Sequence, residues 1–226
     1  MNWKLPFSIP LQIGGSKFLV RSNVEYYRTR KWGGEKTYIQ SLLDSLGPDS
    51  VLLDIGASVG LVTCLASGRG AQVHAFEPDP KSFIRLCENT AANGLTNNSQ
   101  ARLYGLAVSN HSGSMYLWQD GDLSASYKAG LDRGKCYEVK CVTLDQMDWP
   151  KPVTHIKIDV EGAEALVLEG AVKLLAEHRP QLWIELHPKD LDRPVIEFFE
   201  LLKALDYQAS EMVGRGNEFH LICKHG

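Results

Sequence analysis

The sequence predicts an α/β fold built on a doubly wound, mostly parallel sheet, and three observations support this prediction. Short apolar runs alternate along the chain with segments of helical periodicity, which is typical of βαβ units. The apolar run Val51–Ile55 leads into a glycine-spaced turn and then a helix. The chain has 226 residues, of which 44% are hydrophobic, enough to bury one large core. We therefore expect a single domain over residues 1–226.

Residues 1–46 are predicted to form an N-terminal extension and a helix within that domain. Lys17–Arg21 is typical of a short strand, whereas Glu35–Leu46 has apolar residues at helical spacing. A helix placed just before the first central strand could pack beside the loop that follows this strand.

Aromatic residues mark the segment between this strand and this helix. Tyr26, Tyr27 and Trp32 precede the paired glycines Gly33 and Gly34. The segment could form a lid that is hinged at the glycines and covers the substrate. Its aromatic rings could then pack on a sugar, since such rings suit the faces of sugars. Surface aromatics that only support the extension are an equal alternative.

The turn after Val51–Ile55 indicates a cofactor site. Gly56 allows a sharp turn and a close approach of the backbone to a ligand. Glu77 ends the next predicted strand, Gln72–Phe76, and lies 21 positions after Gly56. A carboxylate at about this spacing binds the ribose in nucleotide-binding folds. An adenosine-containing cofactor is therefore expected, although an ordinary strand–turn–helix corner would have the same local pattern.

The residues of this turn favour one cofactor over another. The dinucleotide fingerprint requires a second close glycine where Ser58 stands, and the carboxylate of Asp54 would repel a pyrophosphate. S-adenosylmethionine has no phosphate and carries a cationic amino end. Its ribose hydroxyls could donate hydrogen bonds to the carboxylate of Glu77. The sequence therefore favours S-adenosylmethionine over a nicotinamide dinucleotide.

The chain then continues with a helix and a third strand. Pro80–Ala92 is predicted as the helix, with Asp79 as its N-cap and proline at its first position. Ala101–Leu106 is predicted as the strand. Ala107 and Val108 follow it at the carboxyl edge of the sheet. Leu106, Ala107 and Val108 are therefore candidates to flank the adenine, or they simply end the strand.

Residues 113–145 interrupt the α/β pattern. Ser114–Trp118 and Tyr137–Val142 alternate as strands do, with a polar, glycine-containing stretch at 119–134 between them. We expect an inserted β-hairpin with a long loop. Such a loop near a cofactor can carry substrate contacts, although a solvated loop is the default.

Four charged or imidazole side chains are expected at the same sheet edge. Asp159 and Glu161 follow the apolar run His155–Ile158, and Glu185 and His187 end the run Gln181–Leu186. Charges at the ends of apolar strands are costly unless they are paired or used in catalysis. The predicted catalytic residues are Asp159, Glu161, Glu185 and His187. For any single residue the alternative is a capping or ion-pair role, with Lys157 as partner.

The end of the chain has ordinary patterns. A helix is expected to start near Gly162, to break or bend at Gly170 and to end before Pro180. A second amphipathic helix is expected over 194–205, followed by a closing antiparallel hairpin over 207–224.

Charge and cysteine content limit the class of protein. The formal net charge of −3 gives no electrostatic reason to expect a nucleic-acid partner. The five cysteines are odd in number and lie mostly in apolar runs, as reduced thiols of a cytoplasmic protein do. Cys136 and Cys141 have no second pair to complete a metal site, and no metal is predicted. No apolar run is long enough for an integral membrane segment, and the N-terminus lacks the apolar core of a signal peptide.

At this point several motifs together resemble one family. Asp54–Gly60, Ala75–Pro78, Ala107–Ser109 followed by Gly113, and above all Ile156–Glu164 are similar to the FkbM-type S-adenosylmethionine-dependent methyltransferases. The similarity spans roughly residues 35–190. It implies the class I methyltransferase fold, which is Rossmann-like, with a seven-stranded sheet whose last strand is antiparallel.

The resemblance also implies a function and its residues. The family usually methylates hydroxyls of sugars, glycolipids or polyketide-type metabolites, so a small molecule or glycan is the expected acceptor. Asp54, Gly56 and Gly60 would hold the methionine end of the cofactor and Glu77 its ribose. The predicted cofactor-binding residues are Asp54, Gly56, Ala57, Ser58, Gly60, Glu77, Pro78, Ala107 and Val108.

A hydroxyl acceptor must lose its proton during transfer, and a positioned base assists that step. Asp159, Glu161 or His187 is expected to be the base, with Glu185 orienting it. Asp159, Glu161 and His187 could instead bind a divalent metal, a lesser alternative. The rival functions are an NAD-dependent oxidoreductase, a non-catalytic nucleotide-binding module and a nucleic-acid methyltransferase. The last is disfavoured because no Pro-Pro-aromatic run follows Asp159.

Overall fold

The computed structural model describes residues 4–13, 16–22, 35–95, 100–119, 125–126, 136–215 and 218–226. The helices in these ranges are α1 (Glu35–Ser45), α2 (Leu61–Gly68), α3 (Pro80–Ala92), α4 (Glu164–Glu169), α5 (Val172–His178) and α6 (Val195–Ala204), with a 3-10 turn at Leu144–Gln146. The strands are β1 (Lys4–Ile13), β2 (Ser16–Ser22), β3 (Val51–Ile55), β4 (Gln72–Phe76), β5 (Ala101–Tyr104), β6 (Ala107–Val108), β7 (Gly113–Gln119), β8 (Ala125–Ser126), β9 (Cys136–Val142), β10 (His155–Ile158), β11 (Gln181–Leu186), β12 (Tyr207–Arg215) and β13 (Glu218–His225). None of the helices described is both long and apolar enough to pass through a lipid bilayer.

The central sheet has seven strands in the order β12-β13-β11-β10-β3-β4-β5. Neighbours from β11 to β5 are parallel, whereas β13 runs antiparallel between β11 and β12. The predicted Rossmann-like α/β fold is therefore confirmed, including the antiparallel last strand and the closing hairpin.

Helices cover both faces of this sheet because its central strands are apolar on both sides. In β3, Val51, Leu53 and Ile55 pack on one face with buried residues of β10, β11 and helices α4 to α6. Leu52 points to the other face and packs with buried residues of α1, α2 and β2. This two-sided burial is characteristic of a doubly wound parallel sheet.

The N-terminal strands form a separate two-stranded antiparallel sheet that packs on the α2–α3 side. Phe18 and Val20 of β2 are fully buried. The side chain of Asn93 accepts a hydrogen bond from the backbone N–H of Leu19 (2.9 Å) and donates one to its carbonyl (3.0 Å). The strand β1 was not predicted, because the two prolines in its sequence argue against a strand.

The insertion forms a second sheet in the order β6-β9-β7-β8. The predicted antiparallel pair is present as β7 and β9. One boundary was wrong: the strand predicted over Ala101–Leu106 ends at Tyr104, and Ala107–Val108 pairs in parallel with β9 instead. This pairing joins residues far apart in sequence, so local pattern does not show it. All five cysteines are free thiols.

Two predicted features lie outside the described residues. One is the aromatic segment with Tyr26, Tyr27 and Trp32, and the other is most of the polar stretch 119–134.

Candidate functional site

The candidate site lies where parallel strands end. The strands β3, β4, β10 and β11 are neighbours and point the same way, so the residues that follow them meet at one carboxyl edge. This is the edge at which doubly wound sheets bind ligands. It divides into a cofactor half after β3 and β4 and an acidic half after β10 and β11.

The cofactor half begins with the turn between β3 and α2. The N–H groups of Gly56 and Ala57 both donate to the carbonyl of Phe76, at 3.0 and 2.9 Å, which fixes the turn to the end of β4. Gly56 and Gly60 have φ angles of 77° and 88°, a region that glycine adopts without steric cost. Gly56 and Ser58 are half-buried, so the turn keeps an open side.

The side chain of Asp54 lies on the buried side of this turn, away from its exposed side. It is fully buried and accepts a hydrogen bond from the Thr63 hydroxyl at 2.6 Å. The ammonium of Lys157 lies 3.6 Å from its other oxygen and donates to the carbonyl of Gly56 at 3.1 Å. These contacts show Asp54 holding the loop, and its direct contact with the methionine end of the cofactor stays a prediction.

Glu77 lies beside the same turn. One carboxylate oxygen accepts from the N–H of Ser58 and the other from the N–H of Asp79, both at 2.8 Å. Burial raises the pKa of Glu77 to about 7, although the two backbone donors act in the opposite direction. Each oxygen has a second lone pair, so the ionised group has capacity left for ribose hydroxyls.

Asp79 joins this site to the inserted sheet. It is the N-cap of α3, as predicted, and accepts from the N–H of Ser82 at 2.8 Å. Its other oxygen accepts from the hydroxyl of Tyr137 in β9 at 2.6 Å. Ala107 and Val108 are also buried, 5% and 3% exposed, and their place beside the adenine stays a prediction.

In the acidic half, the buried Lys157 forms an ion pair with Asp159, whose side chain is 29% exposed. The Lys157 ammonium lies 3.1 Å from a carboxylate oxygen of Asp159. Burial alone would lower the pKa of Lys157, but the carboxylates of Asp159 and Asp54 raise it. Despite its own burial, the pKa of Asp159 is lowered by Lys157 and His187. Asp159 is thus a poor proton acceptor.

His187 lies between two carboxylates. Its Nδ1 is 2.7 Å from an oxygen of the fully buried Glu164, and its Nε2 is 3.5 Å from Glu161. Burial would lower the pKa of His187, but the hydrogen bond to Glu164 and the charges of Asp159 and Glu161 raise it to about 10. A pKa this high favours the imidazolium form at neutral pH, and the role of His187 as the base stays untested.

Of the three candidates for the base, Glu161 has the most exposed side chain and a pKa near neutrality. Its side chain is 46% exposed, and its φ of 53° is a left-handed conformation that non-glycine residues rarely adopt. Partial desolvation and the nearby Asp159 raise its pKa to about 7. Strained residues often belong to functional sites, and this one presents a carboxylate that titrates near neutrality.

Glu185 faces the last strand. The pairing of β11 with β13 sets it opposite His220, whose Nε2 lies 3.6 Å from the Glu185 carboxylate. Burial and the charge of Asp159 raise the pKa of Glu185. His220 stacks on Tyr38 of α1 at 4.4 Å. The edge thus brings Glu185 close to the other three predicted residues.

Sequence reasoning did not assign a role to Glu164, His220 or Glu218. A donor atom of Glu218 lies within 4.8 Å of those of Glu185 and His187. Glu164 was visible in the sequence as a charge inside the Ile156–Glu164 motif. His220 and Glu218 had no local signal, because only the β11–β13 register places them here.

Donor atoms of Asp159, Glu161 and His187 lie within 4.8 Å of one another, a spacing that a divalent cation could bridge. Lys157 and the protonated His187 already place positive charge beside these carboxylates. The absence of a metal stays a prediction.

Comparisons with known proteins agree with this geometry. Residues 54–211 match the family model described as Methyltransferase FkbM domain. The hexuronic acid methyltransferase AglP of Haloferax volcanii is 32% identical in an alignment of 191 residues that covers 80% of this chain and 76% of that protein.

Solved structures show the same fold at lower identity. The methyltransferase FkbM from Methylobacillus flagellatus has a TM-score of 0.60 at 19% identity, covering 82% of this chain and 46% of its own. The chain thus spans less than half of that protein. M. jannaschii TYW2 in complex with AdoMet has a TM-score of 0.50 at 13% identity, covering 98% of this chain and 86% of its own.

Proposed function

Because this chain belongs to the FkbM family of methyltransferases, we propose that it transfers a methyl group from S-adenosylmethionine to a sugar hydroxyl. The prediction of an S-adenosylmethionine-dependent methyltransferase is confirmed by the family match and the curated relative. The same match favours this function over an NAD-dependent oxidoreductase or a non-catalytic module. The cytoplasmic location and the exclusion of nucleic acid stay predictions.

The cofactor half of the site fits S-adenosylmethionine. The carboxylate of Glu77 would accept the ribose hydroxyls, and the half-buried turn at Gly56 and Ser58 would hold the rest of the cofactor. When bound, S-adenosylmethionine supplies a methyl group on a positively charged sulfur. An acidic edge suits such a positively charged group.

One observation carries the assignment of the base: Glu161 is the accessible carboxylate whose pKa, about 7, matches its task. As the acceptor oxygen takes the methyl group, its proton passes to Glu161. A base is most effective when its pKa lies near the working pH. Asp159 is held ionised by Lys157, and His187 is already protonated.

The curated relative suggests the sugar. AglP is named for a hexuronic acid, which offers both hydroxyls and a carboxylate as acceptors. A hydroxyl must lose its proton on methylation whereas an ionised carboxylate does not, so a base at the accessible carboxylate of Glu161 favours a hydroxyl acceptor. We therefore propose a hydroxyl of a hexuronic acid-containing glycan as the acceptor.

The test is methyl transfer from labelled S-adenosylmethionine to oligosaccharides that contain glucuronic acid, with matched glucose oligosaccharides beside them. Incorporation that survives mild alkali identifies a methyl ether and supports the proposal. Alkali-labile label identifies a methyl ester and overturns the hydroxyl assignment. No incorporation into either set of sugars overturns the proposed acceptor class.

A further inference from the structure

Glu164 is a buried acid that the proposed mechanism does not yet use. It lies in the first turn of α4 with no exposed surface. One oxygen accepts from the N–H of Gly162 at 3.1 Å and from Nδ1 of His187 at 2.7 Å. The other oxygen is buried and has no hydrogen-bond partner among the residues that the structure describes. Such an oxygen costs stability, so folding alone does not account for this side chain.

His187 connects this acid to the exposed one. The imidazole is 5% exposed, and its two nitrogens face Glu164 on one side and Glu161 on the other, at 2.7 and 3.5 Å. The charged groups around the ring come from five elements: Glu164 from α4, Lys157 from β10, Asp159 and Glu161 from the loop after β10, Glu185 from β11, and Glu218 from β13. Lys157 is paired to Asp159.

We propose that Glu164 is a positioning residue for methyl transfer, which acts through His187 to set the charge of Glu161. This inference rests on the proposed role of Glu161 as the base. The Glu164 carboxylate stabilises the imidazolium form of His187, and the imidazolium in turn favours an ionised Glu161. Without that positive charge, burial and the carboxylates of Asp159 and Glu185 would raise the pKa of Glu161 further.

The same side chain also holds the turn that presents Glu161. The N–H of Gly162 donates a hydrogen bond to Glu164. Gly162 has a φ of 110° and directly follows Glu161, which is in a left-handed conformation. Glu164 therefore contacts both the strained turn and the imidazole. Glu164→Gln separates the two roles, because an amide oxygen can still accept from Gly162 whereas the negative charge is lost.

The experiment follows the titration of two groups by NMR, the Glu161 carboxyl carbon and the His187 ring nitrogens. In Glu164→Gln we expect the pKa of His187 to fall by about three units, far enough for the ring to lose its charge near neutral pH, and the pKa of Glu161 to rise by about one unit. The control is Glu169→Gln, on the same helix, whose carboxylate pairs with Arg193 at 2.6 Å. It should leave both titrations unchanged. An unchanged Glu161 in Glu164→Gln, or equal shifts in both variants, overturns the inference.

A second comparison tests the route of the effect. In a His187→Asn background, Glu164→Gln should no longer shift Glu161, since no imidazole remains to transmit the charge. A shift of the same size in that background overturns the route through His187. If Glu164→Gln fails to fold, the NMR titration of His187 in the wild-type protein still tests the inference. We expect the His187 ring to be protonated at pH 8, and a neutral ring at that pH contradicts the inference.

These titrations need no acceptor, so they are independent of the test of function. Shifts as expected together with no methyl transfer would refute only the proposed function. Methyl transfer as expected, without the shifts, would refute only the role of Glu164. Where activity is found, the acid limb of the kcat profile should move to higher pH in Glu164→Gln.

Discussion

The carbonyl oxygen of Asp159 faces Gly56 so closely that a β-carbon on Gly56 would lie 1.8 Å from it. The parallel pairing of β3 with β10 produces this contact, because Asp54 is opposite Lys157 and both strands end at the same level. The turn of the cofactor half and the first residue of the acidic half therefore pack as one unit.

The first prediction concerns this contact. Gly56→Ala should lower the free energy of unfolding by about 2 kcal/mol or more, because the new methyl group meets backbone and φ is 77°. Binding of S-adenosylhomocysteine should be lost with it. Gly68→Ala is the control, since nothing lies within 4 Å of a β-carbon there. Denaturant unfolding measures both, and equal stability of the two variants would contradict the packing described.

The second prediction concerns the ion pairs of Lys157. Lys157→Met should destabilise the fold by about 3–5 kcal/mol at pH 7, because it leaves the fully buried Asp54 without a cation and also removes the partner of the partly exposed Asp159. Lys157 helps to hold the pKa of Asp159 below its usual value, so the stabilisation is present above that value and is lost as the pH falls. The difference from wild type should shrink in acid. Lys151→Met, at an exposed position, should change little at either pH.

The third prediction is a pH dependence of cofactor affinity. Burial raises the pKa of Glu77 to about 7, and only the ionised carboxylate accepts from both ribose hydroxyls. Binding therefore expels a proton below pH 7, and the affinity for S-adenosylhomocysteine should be about tenfold weaker at pH 6 than at pH 8. Glu77→Gln should bind more weakly and show no such dependence. A wild-type affinity that is flat from pH 6 to 8 would argue against the role of Glu77.

The fourth prediction concerns the base. Glu161→Gln should lower kcat about 10²–10⁴-fold, because the acceptor loses its proton-accepting partner. In the wild-type enzyme kcat should rise as the pH passes through about 7, where Glu161 becomes ionised. Glu177→Gln, on an exposed face of α5, is the control and should keep wild-type turnover. Steady-state kinetics with the best acceptor decides, and an unimpaired Glu161→Gln would remove this residue from the mechanism.

Local signals predicted much of the central fold. Apolar runs bounded by turn residues gave β3 and β4 to the residue, and Asp79 with Pro80 gave the start of α3. The break at Gly170 also separates α4 from α5 as expected. These features are encoded within a few residues of where they occur, so the sequence shows them directly.

Long-range contacts were not accessible in the same way. The pairing of Ala107–Val108 with β9, and that of Glu185 with His220, depend on how distant strands meet. The sequence could place Glu161 and His187 at one edge but could not indicate which of them suits the proposed role of base. That distinction depends on Glu164, which the packing of α4 brings within 2.7 Å of the ring.

The most direct test of the account is calorimetric titration with S-adenosylhomocysteine of the wild-type protein, Glu77→Ala and Glu161→Gln, with NADH as the competing ligand. We expect binding to the wild type and to Glu161→Gln with equal affinity, at least about tenfold weaker binding to Glu77→Ala, and none of NADH. This pattern would establish that Glu77 serves the cofactor and Glu161 serves the acceptor. Full affinity in Glu77→Ala, or binding of NADH in place of S-adenosylhomocysteine, would contradict that division of the site.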